Sequence, residues 1–148
     1  MLHIFRTKFL TDGVCHDRVL VHNYGESAFD VELSLDFDAD FADIFDIRGE
    51  KRKRHGEMLD EKVEADSVTL AYEGLDRVRR TTRVECSAAG NKTHAGGILI
   101  PLHLEAQGES AFDIRVVCLR EDIEVKVQPY DPALQALVQE RSTGPLAD

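Results

Sequence analysis

Residues 28–37, Ala28-Phe29-Asp30-Val31-Glu32-Leu33-Ser34-Leu35-Asp36-Phe37, alternate strictly in character. Phe29, Val31, Leu33, Leu35 and Phe37 fall on one side, and Ala28, Asp30, Glu32, Ser34 and Asp36 on the other. A repeat of two is the signature of a half-buried strand with one face on a core and one in water. Upstream, residues 14–21 also read as a strand. The intervening Asn23-Tyr24-Gly25-Glu26-Ser27 is a turn-forming link, so the spacing predicts a hairpin of these two strands.

The same reading continues downstream. Residues 68–72 are short and end in Glu73-Gly74-Leu75-Asp76, a turn signal, and residues 78–87 are rich in β-branched residues and arginine. Residues 87–97 are small, polar and glycine-containing, and read as a loop. In residues 98–104 the apolar positions are Ile98, Ile100, Leu102 and Leu104, with Pro101 where a ladder donor is lost. Residues 110–120 and 123–127 close the series. Short strands separated by turns predict an antiparallel, all-β sandwich or barrel.

Two stretches break the pattern. Phe41, Ile44, Phe45 and Ile47 follow i, i+3, i+4 spacing, which predicts a short helical turn. At the C-terminus Asp131 suits an N-cap and Pro132 the first helical position, with Leu134, Leu137 and Val138 forming a narrow stripe. This predicts about three turns of helix ending before Gly144-Pro145. The expected division is a β domain over 1–130, then a helix and linker over 131–148.

The 148 residues suit one domain, and 43% hydrophobic with 31% charged residues is a globular balance. The net charge of −10 argues against nucleic acid and anionic membranes as partners, because phosphate contacts need excess positive charge. No apolar run approaches the roughly 20 residues of a membrane span. Cys15, Cys86 and Cys118 are odd in number and contain no CxxC pair, so they read as buried thiols in a reducing, cytoplasmic setting.

Tests for chemistry are mostly negative. Asp36-x-Asp38-x-Asp40 lacks the glycine and the bidentate glutamate of a calcium loop, with Phe41 and Ile47 in those places. The histidines His3, His16, His22, His55, His94 and His103 form no metal-ligand spacing and read as solvated or hydrogen-bonded. No metal and no cofactor is expected, and no catalytic residue is assigned. Lys51-Arg52-Lys53-Arg54-His55 reads as a solvated basic loop beside an acidic stretch. Arg77, Arg79 and Arg83 share a strand face and need opposite charges nearby. Asp36, Asp38 and Asp40, or a link through Arg48, are the expected answer. Such an array is either a salt-bridge lattice or a surface for polar recognition of a sugar.

Residues 37–49, Phe-Asp-Ala-Asp-Phe-Ala-Asp-Ile-Phe-Asp-Ile-Arg-Gly, resemble the signature of the N-terminal domain of bacterial and archaeal glycogen debranching enzymes of the amylo-α-1,6-glucosidase type. Arg6, Asp12-Gly13, Asn23-Tyr24 and Tyr72-Glu73-Gly74-Leu75-Asp76 fall in the order that family shows, so the resemblance covers roughly residues 4–127. It implies a two-sheet β-sandwich of the large carbohydrate-enzyme kind. It further implies a parent enzyme whose catalytic carboxylates lie in a separate (α/α)6 barrel hydrolysing α-1,6 branches. This chain is then a noncatalytic domain whose partners are that barrel and an α-glucan. A freestanding carbohydrate-binding module is the alternative, and a hydrolase using Asp38 and Asp43 is a third reading that the family's placement of catalysis disfavours. The resemblance also places further strands ahead of Arg6, so an open sheet edge, suited to pairing with a second copy, is expected.

In the signature, Phe37, Phe41, Ile44 and Phe45 are expected to anchor the turn, and Gly49 to end it with positive φ. Asp38, Asp40, Asp43 and Arg48 are the candidates for substrate contact or domain interface. Arg48 is expected to pair, partly buried, with one or more of those carboxylates as a brace.

Overall fold

The computed structural model describes residues 1–50 and 54–143, apart from the side chains of Ile44 and Phe45. The basic residues 51–53, the anchoring role of Ile44 and Phe45, and the Gly144-Pro145 helix stop lie outside that description.

The strands are β1 (Leu2–Thr11), β2 (Val14–Asn23), β3 (Phe29–Asp36), β4 (Glu57–Val63), β5 (Ser67–Glu73), β6 (Arg79–Cys86), β7 (Lys92–His94), β8 (Gly97–Leu104) and β9 (Glu109–Arg120). One helical turn, α1 (Ile44–Ile47), and a C-terminal helix, α2 (Tyr130–Thr143), complete the described chain. A six-stranded sheet runs β1-β2-β9-β6-β5-β4 and a three-stranded sheet runs β3-β8-β7. Every pairing is antiparallel, and the two sheets form a sandwich.

The core is what the alternating segments deliver. Ile98, Ile100, Leu102 and Leu104 of β8 are buried, and they meet Val19, Val21, Val68, Val84, Phe112 and Ile114 of the large sheet. Val31, Leu33 and Leu35 of β3 pack against the same cluster while Asp30, Glu32, Ser34 and Asp36 face solvent. Pro101 pairs with Glu32 in the β3 ladder, whereas β7 pairs no further along β8 than Leu99. The missing proline donor therefore falls beyond the end of the β7 ladder.

The expected hairpin of residues 14–21 with 28–37 does not form. β2 pairs with β1 and β9, while β3 crosses into the other sheet to pair with β8. The link is held by Asn23, which is fully buried. Its amide donates to the carbonyls of Ser27 and Glu105, each at 2.9 Å, and its Oδ1 accepts from the Gly25 N–H at 2.8 Å. Residues 123–127 are also not a strand; only Ile123 makes an isolated bridge, to Arg120. β7 occupies part of the expected loop at 87–97.

The arginine-rich strand finds other partners than expected. Arg83 and Arg115 converge on Glu85, Arg18 pairs with Asp113 and Asp131, and Arg80 pairs with Asp76. Arg77 lies in the turn before β6, at φ 60°, and not on the strand face. Asp36 accepts from the Ser34 hydroxyl instead of meeting an arginine.

On the outer face of the large sheet, α2 docks through its first turn. It starts at Tyr130, one residue before the expected cap, so Asp131 is free to bind Arg18, whose guanidinium carbon lies 3.9 Å above the Tyr130 ring centroid. Phe9 stacks on His16 at 4.7 Å and meets Tyr130 edge-on at 5.0 Å. His16 is thus buried among aromatic rings with its Nε2 lacking a hydrogen-bond partner, unlike the solvated or hydrogen-bonded histidine expected. All three cysteines are free; Cys86 is buried as expected, but Cys118 is exposed. β1 is an edge strand, as the resemblance implied.

Candidate functional site: a cleft beside the signature loop

The signature loop leaves β3 at Asp36 and runs across one end of the sandwich into α1. Asp38 Oδ1 accepts from the Ala39 N–H at 2.8 Å and Asp40 Oδ1 from the Ala42 N–H at 3.0 Å. Short carboxylates commonly satisfy their own loop in this way. Asp43 and Asp46 then bracket the helical turn reciprocally: the Asp46 N–H donates to Asp43 Oδ1 at 3.0 Å and the Asp43 N–H to Asp46 Oδ2 at 3.3 Å. Gly49 ends the turn at φ 87°, as expected. Phe41 sits at φ 51°, an unusual conformation for a bulky residue and a costly one.

What holds Phe41 there is Tyr72 on β5. The two rings stack with centroids 5.4 Å apart and planes 11° from parallel. Tyr72 is fixed in turn from its other end, where its hydroxyl oxygen accepts the Gly56 N–H at 2.7 Å. A Cβ at residue 56 would stand 2.5 Å from that oxygen and collide with the Glu73 carbonyl oxygen. Only glycine permits this approach.

The turn after β5 supplies the charged wall. The Gly74 N–H donates to the Val78 carbonyl at 3.1 Å and the Arg77 N–H to the Gly74 carbonyl at 2.9 Å. Across this turn Arg80 grips Asp76 with both arms, Nη2 to Oδ2 at 2.7 Å and Nη1 to Oδ1 at 3.1 Å. A Cβ at residue 74 would lie 2.6 Å from Arg80 Nη1, so glycine here makes room for the pair. The Arg80 guanidinium, with the Val78 N–H, holds the Asp76 carboxyl well below the usual carboxylate range, and Asp76 raises Arg80 in return.

These parts enclose a cleft of about 290 Å³. Phe41, Tyr72 and Leu75 are its apolar lining; Asp43, Asp46 and Asp76 line it together with Arg54, His55 and Arg80. A second, larger cleft of about 680 Å³ adjoins it and shares Phe41 and Arg80. Its lining is mainly apolar and includes Leu119, Ile123 and Val125. Among the described residues no group of three or more His, Cys, Asp or Glu is placed to hold a metal ion.

Of the four residues expected in a site, Asp43 lines the polar cleft. Asp38 and Asp40 are exposed and serve their own loop. Arg48 is exposed and has no partner among the described residues, so it is not a brace. Sequence reasoning missed Arg80, Arg54 and His55. Arg80 carried a usable signal, since Asp76 and Arg80 flank a turn at a spacing of four with opposite charges.

The family described as the N-terminal domain of some glycogen debranching enzymes matches residues 1–115. The chain belongs to this family. The three segments that line the polar cleft, 41–46, 54–55 and 72–80, all lie within the matched part of this debranching-enzyme N-terminal domain. No curated protein is similar to the chain. A solved structure, "Putative kojibiose phosphorylase from human microbiome", is similar to it over 97% of this chain, at 14% identity and a TM-score of 0.44. The domain spans 21% of that protein's length.

Proposed function

We propose that this chain is a noncatalytic domain supporting a separate (α/α)6 glycoside hydrolase domain that cleaves α-1,6 branches of glycogen-like glucans. The observation that carries this reading is the apolar surface around the signature loop. Ile123 (53% exposed) lines the apolar cleft, and Ile47 (75%) ends the helical turn of the signature loop. An apolar cleft open to solvent suits contact with another protein body. The signature loop forms the wall between an apolar cleft and a polar one. It therefore suits packing on a catalytic domain on one side and bordering its substrate on the other.

The cleft's own carboxylates are poorly suited to hydrolysis. Glycoside cleavage needs a carboxylic acid whose pKa is raised, and Asp76 is shifted the other way. Asp43 and Asp46 direct oxygens to each other's backbone amides. A freestanding carbohydrate-binding module would offer open aromatic platforms. Tyr72 instead stacks on Phe41, and the half-exposed Tyr24 and Phe5 lie against His22 and His3, outside the lining of the cleft. A cytoplasmic setting accompanies this reading, supported by three unpaired cysteines.

The test is hydrolysis of a branched dextrin. The 148 residues alone are expected to release no glucose, whereas a parent chain carrying the barrel does, and loses activity with Ile123→Asp. Release of glucose by the 148 residues alone overturns the reading.

A further inference from the structure

The polar cleft has features that support of another domain does not require. Gly56 is needed because a Cβ there would strike the Glu73 carbonyl oxygen and the Tyr72 hydroxyl, so it fixes where the Tyr72 ring stands; a Cβ at Gly74 would displace the ends of the Asp76 and Arg80 side chains from their present pairing. An aromatic residue is held in a left-handed conformation at the cleft wall. Such preparation is what a ligand site needs, because groups fixed beforehand lose little freedom on binding.

The lining specifies the ligand's charge. The lining carries three carboxylates, two guanidinium groups and a histidine, and Arg80 is already matched by Asp76. An anion would meet the carboxylates, and a cation the arginines. A neutral molecule rich in hydroxyl groups meets neither penalty. Hydrogen-bonding capacity remains for it. Arg80 commits Nη1 to Asp76 and the Val78 carbonyl and one proton of Nη2 to Asp76, which leaves its Nε–H and the second Nη2 proton. Arg54 and His55 have no side-chain partner among the described residues.

Size and shape specify how much of a polyol enters. About 290 Å³ is the small end of ligand pockets, which run from about 300 to 1,000 Å³. Phe41 and Tyr72 stand against each other as a wall, not side by side as a track for successive sugar rings. We propose that this cleft binds the terminal glucopyranose unit of an α-glucan, with Asp76 and Arg80 on its hydroxyls and Tyr72, Phe41 and Leu75 against its carbon face. The choice of glucan rests on the function proposed above; the choice of a neutral chain end rests on the cleft.

Amide chemical-shift titration of the 148-residue chain with maltose, maltotriose and maltoheptaose tests this. Saturable shifts are expected at Gly56, Gly74, Asp76 and Val78, with a Kd on the order of 1 mM that changes less than about threefold with chain length. Arg80→Lys, which keeps the charge and loses the fork, should raise that Kd about tenfold. Leu75→Ala should weaken binding several-fold with an unchanged unfolding midpoint, since Leu75 is exposed. Inorganic phosphate should shift none of these amides. Absence of saturable shifts, shifts confined to another face, or affinity that climbs steeply with chain length each overturns the proposal. None of these outcomes touches the dextrin hydrolysis test, so the two readings fail separately.

Discussion

The backbone N–H of Gly56 donates to the hydroxyl oxygen of Tyr72 at 2.7 Å, and no side chain larger than hydrogen fits at residue 56. This one contact ties the chain entering β4 to the ring that supports Phe41, and so ties the basic side of the cleft to the signature loop. Gly56→Ala must push β4 away from β5 at Glu73, because the obstructing atoms include backbone. Overpacking of this kind costs about 1–3 kcal/mol. Urea unfolding should show that loss, while Tyr72→Phe, which removes only the acceptor, should cost about 1 kcal/mol.

Asn23 is the pivot between the sheets. It is fully buried and bonds to Gly25, Ser27 and Glu105. Asn23→Ala strips partners from two carbonyls and one N–H at once. Each unsatisfied buried group costs about 1–3 kcal/mol, so the variant should lose more than about 3 kcal/mol in chemical denaturation. Asn23→Asp keeps the shape but not the donor, and should also be strongly destabilised. A wild-type midpoint for either would mean the crossover is held by other contacts.

Arg48→Ala should leave stability within about 0.5 kcal/mol of wild type, as exposed substitutions without partners do. The sequence suggested a partly buried brace and a loss several times larger. Arg48 is exposed and unpartnered among the described residues. A midpoint lowered by about 2 kcal/mol or more would restore the brace.

His16 makes stability depend on pH. Burial, chiefly, and the nearby Arg115 charge push its pKa below the usual 6.5, against a smaller raising effect of Asp113. Its Nε2 is buried without a hydrogen-bond partner, so a proton there would have no acceptor. The unfolded chain binds that proton more readily than the folded one. The stability His16 contributes is therefore complete above about pH 6.5 and is lost as pH falls below it toward the lower folded value. His103, raised by Asp30 and then Glu105, acts in the opposite sense, but it is exposed and its effect is small. Thermal unfolding between about pH 7.5 and 5 should show wild type losing more stability than His16→Leu. Equal pH slopes would remove His16 as the cause.

The strands hardest to see in the sequence are those with little to bury. β4, Glu57–Val63, lies at a sheet edge with a register shift between Leu59 and Lys62, and nearly all of it is exposed, so no clean alternation marks it. β1 carries apolar residues on both sides, Ile4 and Leu10 on one and Phe5 and Phe9 on the other, which hides its period. Residues 123–127 err the other way. They have the composition of a strand, but no neighbour pairs with them beyond Ile123.

The sequence alone determined the two-residue alternation of β3 and β8, the helical turn of the signature, the C-terminal helix and the family. Each is written in neighbouring residues, because side-chain direction along a strand or helix is set by the local backbone repeat. Only the tertiary structure decided that β2 and β3 part into different sheets, that Arg83 and Arg115 share Glu85, and that Phe41 meets Tyr72. Those outcomes depend on residues distant in the chain. Alternation states which face is buried but not which strand lies beside it, and a charge states that it needs a partner but not which partner packing will bring.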